Sequence, residues 1–367
     1  MRARLEGKRI CICAGSGGVG KTTIAAALGL GLAREHKRVL VLTIDPARRM
    51  ASALGMGAPG TPTQVNPAQL DAAGVQTRGE LWAMTLDVKR TFDELIVDVA
   101  PDEHSREEIL SNRIYRELSS GAAGSQEVAA VAKLFELDRE RSFDVVVVDT
   151  PPTRNALDFL EAPTRLKSFL EGRAIDIFML GAGRGGVAAR VLGSGTALLF
   201  SVFARATGVE LAGEIALFFR LLSSLREGLR ERAASVDALL HDVATSFLIV
   251  TSPEHSPADE AVFLHRSLLD AGLPYGALVV NRVHEGAFAT AELDELRVTL
   301  ERSLEARLSA GVMRSVAEFE VLASRDQETV ARLSGALEER APVTVPELGE
   351  EVEDLRGLAR VAERLFR

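Results

Sequence analysis

Short, continuously apolar runs recur along the chain, each ending at turn-forming or polar residues, with helix-forming stretches between them. Residues 9–14, 38–44, 81–86, 143–148, 246–251 and 276–280 read as strands, the fourth being the richest in valine. A further segment at 342–346 is expected to close the sheet edge. Strands alternating with helices predict an α/β fold, a doubly wound and mainly parallel sheet. Such sheets bind ligands at the carboxyl ends of their strands, and those ends carry Asp45, Asp149 and Asn281.

Two stretches interrupt the alternation, at about 89–141 and 163–241. Both read as helical insertions that form a subdomain on one domain spanning 1–367. Within the second, residues 197–203 and 215–222 are more apolar than a solvated helix allows. They suit a helix packed on its neighbours, a dimer interface, or a groove for a hydrophobic client.

The first strand runs into Gly15-Ser16-Gly17-Gly18-Val19-Gly20-Lys21-Thr22, which matches the pattern G-x-x-x-x-G-K-[ST] and is followed by Thr23 and a helix-forming run. Strand, glycine loop and helix N-terminus make an anion cradle of backbone N–H groups reinforced by the helix dipole. Glycines are needed because the backbone must approach phosphate oxygens in conformations that a Cβ would block. Lys21 is expected to bridge the β- and γ-phosphates of ATP, and the Thr22 hydroxyl to ligate Mg²⁺. The pattern predicts a nucleotide-binding chain.

The net charge of −9 gives no electrostatic reason to expect a nucleic-acid partner. The only cysteines, Cys11 and Cys13, lie two apart on the first strand and so share a face. Core packing suits them better than ligand or redox duty. No C-x-x-C pair exists, and the six histidines lack metal-ligand spacing, so zinc is not expected. The basic N-terminus runs straight into the first strand and does not read as a cleavable signal. The longest uncharged apolar stretch, 191–204, is shorter than the ~18 residues that a membrane span needs. The expected location is the cytoplasm.

Phosphoryl transfer to water requires positioning and charge neutralisation. Asp149 ends the fourth apolar run, where an acid can hold Mg²⁺ directly or through water; capping the following helix is the alternative. Asp45 ends the second run ahead of Pro46, which stiffens the turn. An acid there can line up the attacking water, although a structural cap explains it nearly as well.

With these residues in view, the chain resembles the ArsA-type ATPases, which include the arsenical pump-driving ATPase and the ATPase that delivers tail-anchored membrane proteins. Asp45-Pro46-Ala47 looks like the family's switch I, and 149–157 like its switch II. Asn281-Arg282 resembles its adenine-contacting strand end, Asn281 as a plain turn residue being the other reading, and Val345-Pro346-Glu347-Leu348 resembles its late loop near the base. The resemblance implies a nucleotide-switched dimer handling or targeting hydrophobic membrane-protein clients. An energising subunit of an anion transporter and a low-turnover regulatory scaffold are the alternatives.

Departures from the family pattern narrow this. The family's P-loop carries an extra lysine that reaches the partner's nucleotide, and Ser16 stands in its place. Arg48, Arg49 or Arg154 could supply a substitute charge, or a lysine-bearing paralogue could supply it in a heterodimer. Without cysteines beyond the first strand, the soft thiolate ligands of an arsenite site are missing.

Overall fold

Eight strands form one sheet in the computed structural model, which describes residues 1–44, 48–120, 124–151, 156–171, 209–286, 290–349 and 352–367. They are β1 (Ile10–Ala14), β2 (Arg38–Thr43), β3 (Thr63–Gln64), β4 (Glu80–Thr85), β5 (Val145–Asp149), β6 (Thr245–Thr251), β7 (Tyr275–Val283) and β8 (Val343–Pro346). Their order is β3-β4-β2-β5-β1-β6-β7-β8. Every neighbouring pair is parallel except β3 with β4.

Among the described helices, α1 (Arg2–Leu5), α2 (Lys21–Ala33), α3 (Arg48–Ala53) and α4 (Pro67–Ala72) precede β4. Between β4 and β5 lie α5 (Val88–Val99), α6 (Glu103–Ser111), α7 (Arg113–Ser119) and α8 (Ser125–Glu140). Helices α9 (Ala156–Glu171), α10 (Val209–Ser224) and α11 (Arg226–His241) lead to β6. α12 (His255–Asp270) follows β6, α13 (Thr290–Ser303) and α14 (Ala306–Ala336) follow β7, and α15 (Leu355–Leu365) comes last.

Strands β1, β5 and β6 are buried at every position. Helices cover both faces, so these strands have no solvent side, which is why they read as unbroken apolar runs. Alternate residues feed two cores. Cys11, Cys13, Val39, Val41, Val145 and Val147 pack with α2 and α15. Ile10, Ile12, Leu40, Leu42, Val146 and Val148 pack on the opposite face with α8, α11, α12 and the end of α14. The period of two along a strand thus places both cysteine thiols in the first core, as their spacing required.

A third apolar cluster stands apart from the sheet. Leu95, Ile96, Ile109 and Tyr115 from α5, α6 and α7 enclose Phe218, Leu221 and Leu222 of α10. The apolar segment 215–222 is therefore satisfied in part by packing inside this chain. The other apolar segment, 197–203, lies outside the described residues.

Three local features differ from the sequence expectation. β3 is a two-residue antiparallel edge strand, too short for any periodicity to show. A helical turn, α1, precedes β1 and buries Leu5. Arg4 then donates to both carboxylate oxygens of Glu339, each at 2.8 Å. Pro163, expected near a helix start, lies inside α9, which begins at Ala156. Burial of the adjacent Ala162 in the second core helps to hold that helix through the proline.

Candidate nucleotide site

β1 ends at Ala14 and α2 starts at Lys21, so residues 15–20 turn the chain from the carboxyl edge of the sheet into a helix N-terminus. Two of the loop glycines are irreplaceable on local geometry. Gly15 has φ +156°, and a Cβ there would lie 2.0 Å from the Val250 carbonyl oxygen. Gly20 has φ +87°, and a Cβ there would lie 2.4 Å from Asn281 Nδ2. Gly17 and Gly18 are exposed at the loop crest, Gly18 with φ +79°, while Val19 anchors the loop in the core.

Lys21 is only 6% exposed, and its Nζ donates to the Ser16 carbonyl oxygen at 2.6 Å. Burial holds this ammonium below the usual lysine range, while the nearby Asp149 carboxylate pulls it back up. The lysine is thus folded over the loop that it is expected to help bind phosphate. Ser16 is buried as well, and its hydroxyl donates to Glu260 Oε2 of α12 at 2.5 Å. Glu260 was not foreseen from sequence, because no motif marks it and α12 is remote in the chain.

The Thr22 hydroxyl donates to Asp149 Oδ2 at 2.6 Å, and the Thr43 hydroxyl donates to the same oxygen at 3.0 Å. Asp149 is 3% exposed and sits at the end of β5, directly beside β1 and β2. The next residue, Thr150, donates its hydroxyl to the Cys13 carbonyl at 2.8 Å, tying the start of the following loop to β1. Thr43 was also missed; its only signal was a hydroxyl ending an otherwise aliphatic strand. All donors here are oxygens, the set that a hard divalent cation such as Mg²⁺ prefers. The glycine cradle and this hydroxyl–carboxylate pair together fit a Mg-nucleotide.

Asn281 ends the apolar part of β7, and its Nδ2 donates to the Val19 carbonyl at 2.9 Å. It supports the P-loop from below and also lines a cleft of about 460 Å³ that opens beside Gly20, Thr22 and Thr23. Arg282 and Pro346, the other residues expected near a base, line the same cleft. Sequence reasoning missed its apolar walls, Met50, Val352 and Val361, which come from three separate helix or loop segments. Arg282 has φ +60° and points its guanidinium toward Glu347, 3.9 Å away.

Asp45, expected to position water, lies outside the described residues, as does Arg154. Arg48 and Arg49 open α3, but their side chains also fall outside the description. The two thiols are wholly buried, and burial pushes Cys11 up to about 12 and Cys13 higher than its ordinary value. Thiolate is the reactive and metal-binding form, so neither is placed for soft-metal chemistry. Among the described residues, no helix is long and apolar enough to cross a membrane.

Comparison with known proteins agrees with this architecture. The sequence profile of the anion-transporting ATPases, the ArsA ATPase family, matches residues 8–297. A protein of Halobacterium salinarum named as an arsenical pump-driving ATPase is 33% identical over 167 residues, which are 46% of this chain and 26% of the relative. Arsenical pump-driving ATPase 1 of Aquifex aeolicus, so named, is 29% identical over 75% of this chain and 63% of its own length. The ATPase GET3 of Malassezia globosa is 26% identical over 74% of this chain and 71% of its own length. The chain therefore spans less than two thirds of the first two relatives. The match from β1 to α13 covers the P-loop, Asp149 and Asn281, and on it the chain belongs to the ArsA-type anion-transporting ATPase family.

Proposed function

We propose that this chain is a Mg-dependent ATPase that works as a nucleotide-switched dimer and handles hydrophobic membrane-protein clients. The observation that carries the ATPase reading is the Thr22–Asp149 contact at the mouth of the glycine loop. It brings the two oxygen groups that would hold Mg²⁺ to the edge where Lys21 begins its helix. When bound, the ion would neutralise charge on the β- and γ-phosphates. The residues do the rest: the loop N–H groups hold the phosphates, and Lys21 moves from the Ser16 carbonyl onto them. The cleft beside Asn281 and Pro346 has room for the base. Asp45 is assigned the role of aligning the attacking water.

That last role is tested by Asp45→Asn, which should leave ATP affinity intact and lower turnover about 10²-fold, the usual scale of general-base catalysis. Unchanged hydrolysis would make Asp45 a structural cap.

Support for the client role comes from the helical insertions and from relatives named GET3 and ASNA1. The helices α5 to α8 and α10 carry an apolar cluster of their own, separate from the sheet. Both thiols are buried, which opposes metalloid activation through them. The test is capture from detergent-solubilised membranes with and without ATP. Enrichment of proteins with single membrane anchors is expected; a multispan transporter as the retained partner would favour the energising-subunit reading instead.

A further inference from the structure

Thr43 carries the one hydroxyl in β2, whose side chains from Val39 to Leu42 are all aliphatic. It is wholly buried at the carboxyl end of the strand. Its carbonyl oxygen accepts from the Leu86 N–H at 2.9 Å, which fixes the backbone on the β4 side. On the other side Thr43 stands in register with Asp149 of β5, and Asp149 in register with Cys13 of β1. A strand paired on both sides therefore delivers the Thr43 hydroxyl to Asp149 Oδ2 at 3.0 Å. A hydroxyl has one proton to donate. Thr150 spends its own on the backbone, at the Cys13 carbonyl, whereas Thr43 spends its on a carboxylate. Thr22 donates to the same Asp149 oxygen at 2.6 Å, but from the first turn of α2 and from a half-buried position. Two donors thus reach one carboxylate from independent elements, one set by the sheet and the other by the glycine loop.

We propose that Thr43 is a positioning residue of the metal site, its hydroxyl holding the Asp149 carboxylate in the orientation that serves Mg²⁺. The inference rests on the Mg-ATPase reading above and adds to it a residue with no ligating duty of its own. Thr22 does not fill this role alone. Its oxygen is expected to turn a lone pair to the ion, so its geometry is set by the metal as well as by the fold. Thr43 has a single task and holds its place with or without the ion. Because it is wholly buried, water has no room to replace its hydroxyl, and its loss removes the sheet-borne donor from Asp149 outright. Groups that orient a metal ligand from behind typically set about 10- to 100-fold of the metal affinity.

Mn²⁺ is a paramagnetic stand-in for Mg²⁺, and electron paramagnetic resonance reads its binding without any turnover. Thr43→Val keeps the branched shape of the side chain, so its thermal melt should lie near that of the unmodified chain. With saturating ADP, the Mn²⁺ affinity of Thr43→Val should fall about 10- to 100-fold. ADP affinity measured in a chelator should stay unchanged, since the loop and Lys21 are untouched. Thr43→Ser returns the hydroxyl and should recover most of the metal affinity. Thr43→Ala should show the same loss without the methyl that Thr43→Val sets against the carboxylate, and it stands in if Thr43→Val fails to fold. An equal loss of ADP affinity in chelator overturns the proposal, because it would make Thr43 a support of the loop rather than of the metal ligand. So does unweakened Mn²⁺ binding in the valine and alanine variants of a chain whose unmodified form binds Mn²⁺ with ADP; the Mg-ATPase reading then survives. An unmodified chain that takes up no Mn²⁺ with ADP overturns that reading and this inference with it.

Discussion

Lys21→Ala is expected to abolish ATP binding, with no calorimetric signal at nucleotide concentrations that saturate the unmodified chain. A triphosphate brings several negative charges to a site that already holds Asp149 at 3% exposure and Glu260 beside Ser16. Lys21 is the cation at the helix N-terminus facing them, and charge-assisted hydrogen bonds of this kind are about twice as strong as neutral ones. Its loss removes that counter-charge from the phosphates. The fold should survive, because what the lysine gives up in the empty site is one hydrogen bond to the Ser16 carbonyl. A melt close to that of the parent chain separates lost binding from lost structure. The unmodified chain offers a second readout. Burial lowers the Lys21 pKa in the empty site, and phosphate should raise it, so binding takes up a proton wherever the empty-site lysine is partly neutral. Affinity should therefore fall as pH rises through that lowered value. Parent-like affinity in Lys21→Ala would remove the phosphate-loop assignment.

How much of this site could be seen in the sequence follows from how local each constraint is. The glycine loop was legible as a motif, since its glycines, lysine and threonine are contiguous, and it lies where the motif requires, between β1 and α2. Asp149 was legible because four valines lead to it and nothing else in such a strand is polar. Asn281, Arg282 and Pro346 were placed at one site only through resemblance, and the structure brings them to one cleft. What stayed hidden is set by packing between distant segments. Glu260 reaches Ser16 across 244 positions in the chain, and Thr43 reaches Asp149 across 106. Neither distance leaves a periodic or compositional trace. The sheet itself was readable for a similar reason, since burial on both faces forces continuous apolar runs. β3 was unreadable because two residues of an edge strand need no pattern at all.

Ser16→Lys is expected to raise the turnover of the isolated chain, by as much as ~10³ if the added cation reaches a partner's phosphates. A serine carries no charge and is too short to cross an interface. The chain with serine should hydrolyse ATP slowly alone and faster when mixed with a paralogue that carries the lysine. The structure adds a condition that the sequence did not reveal. The Ser16 hydroxyl already donates to Glu260 within the same chain. A lysine placed at 16 starts beside that carboxylate and can be captured as an ion pair before it reaches across. Removing the acid's charge should release it, so Ser16→Lys with Glu260→Gln is expected to exceed Ser16→Lys alone. Glu260→Gln by itself keeps an acceptor for the serine hydroxyl and should change turnover far less. Single-turnover hydrolysis at saturating ATP, compared across the four chains, measures the coupling between the two positions directly. Brisk hydrolysis by the unmodified chain, with no gain in either lysine variant, would assign the charge to a cis group such as Arg48 or Arg154. The heterodimer would then have no physical motive.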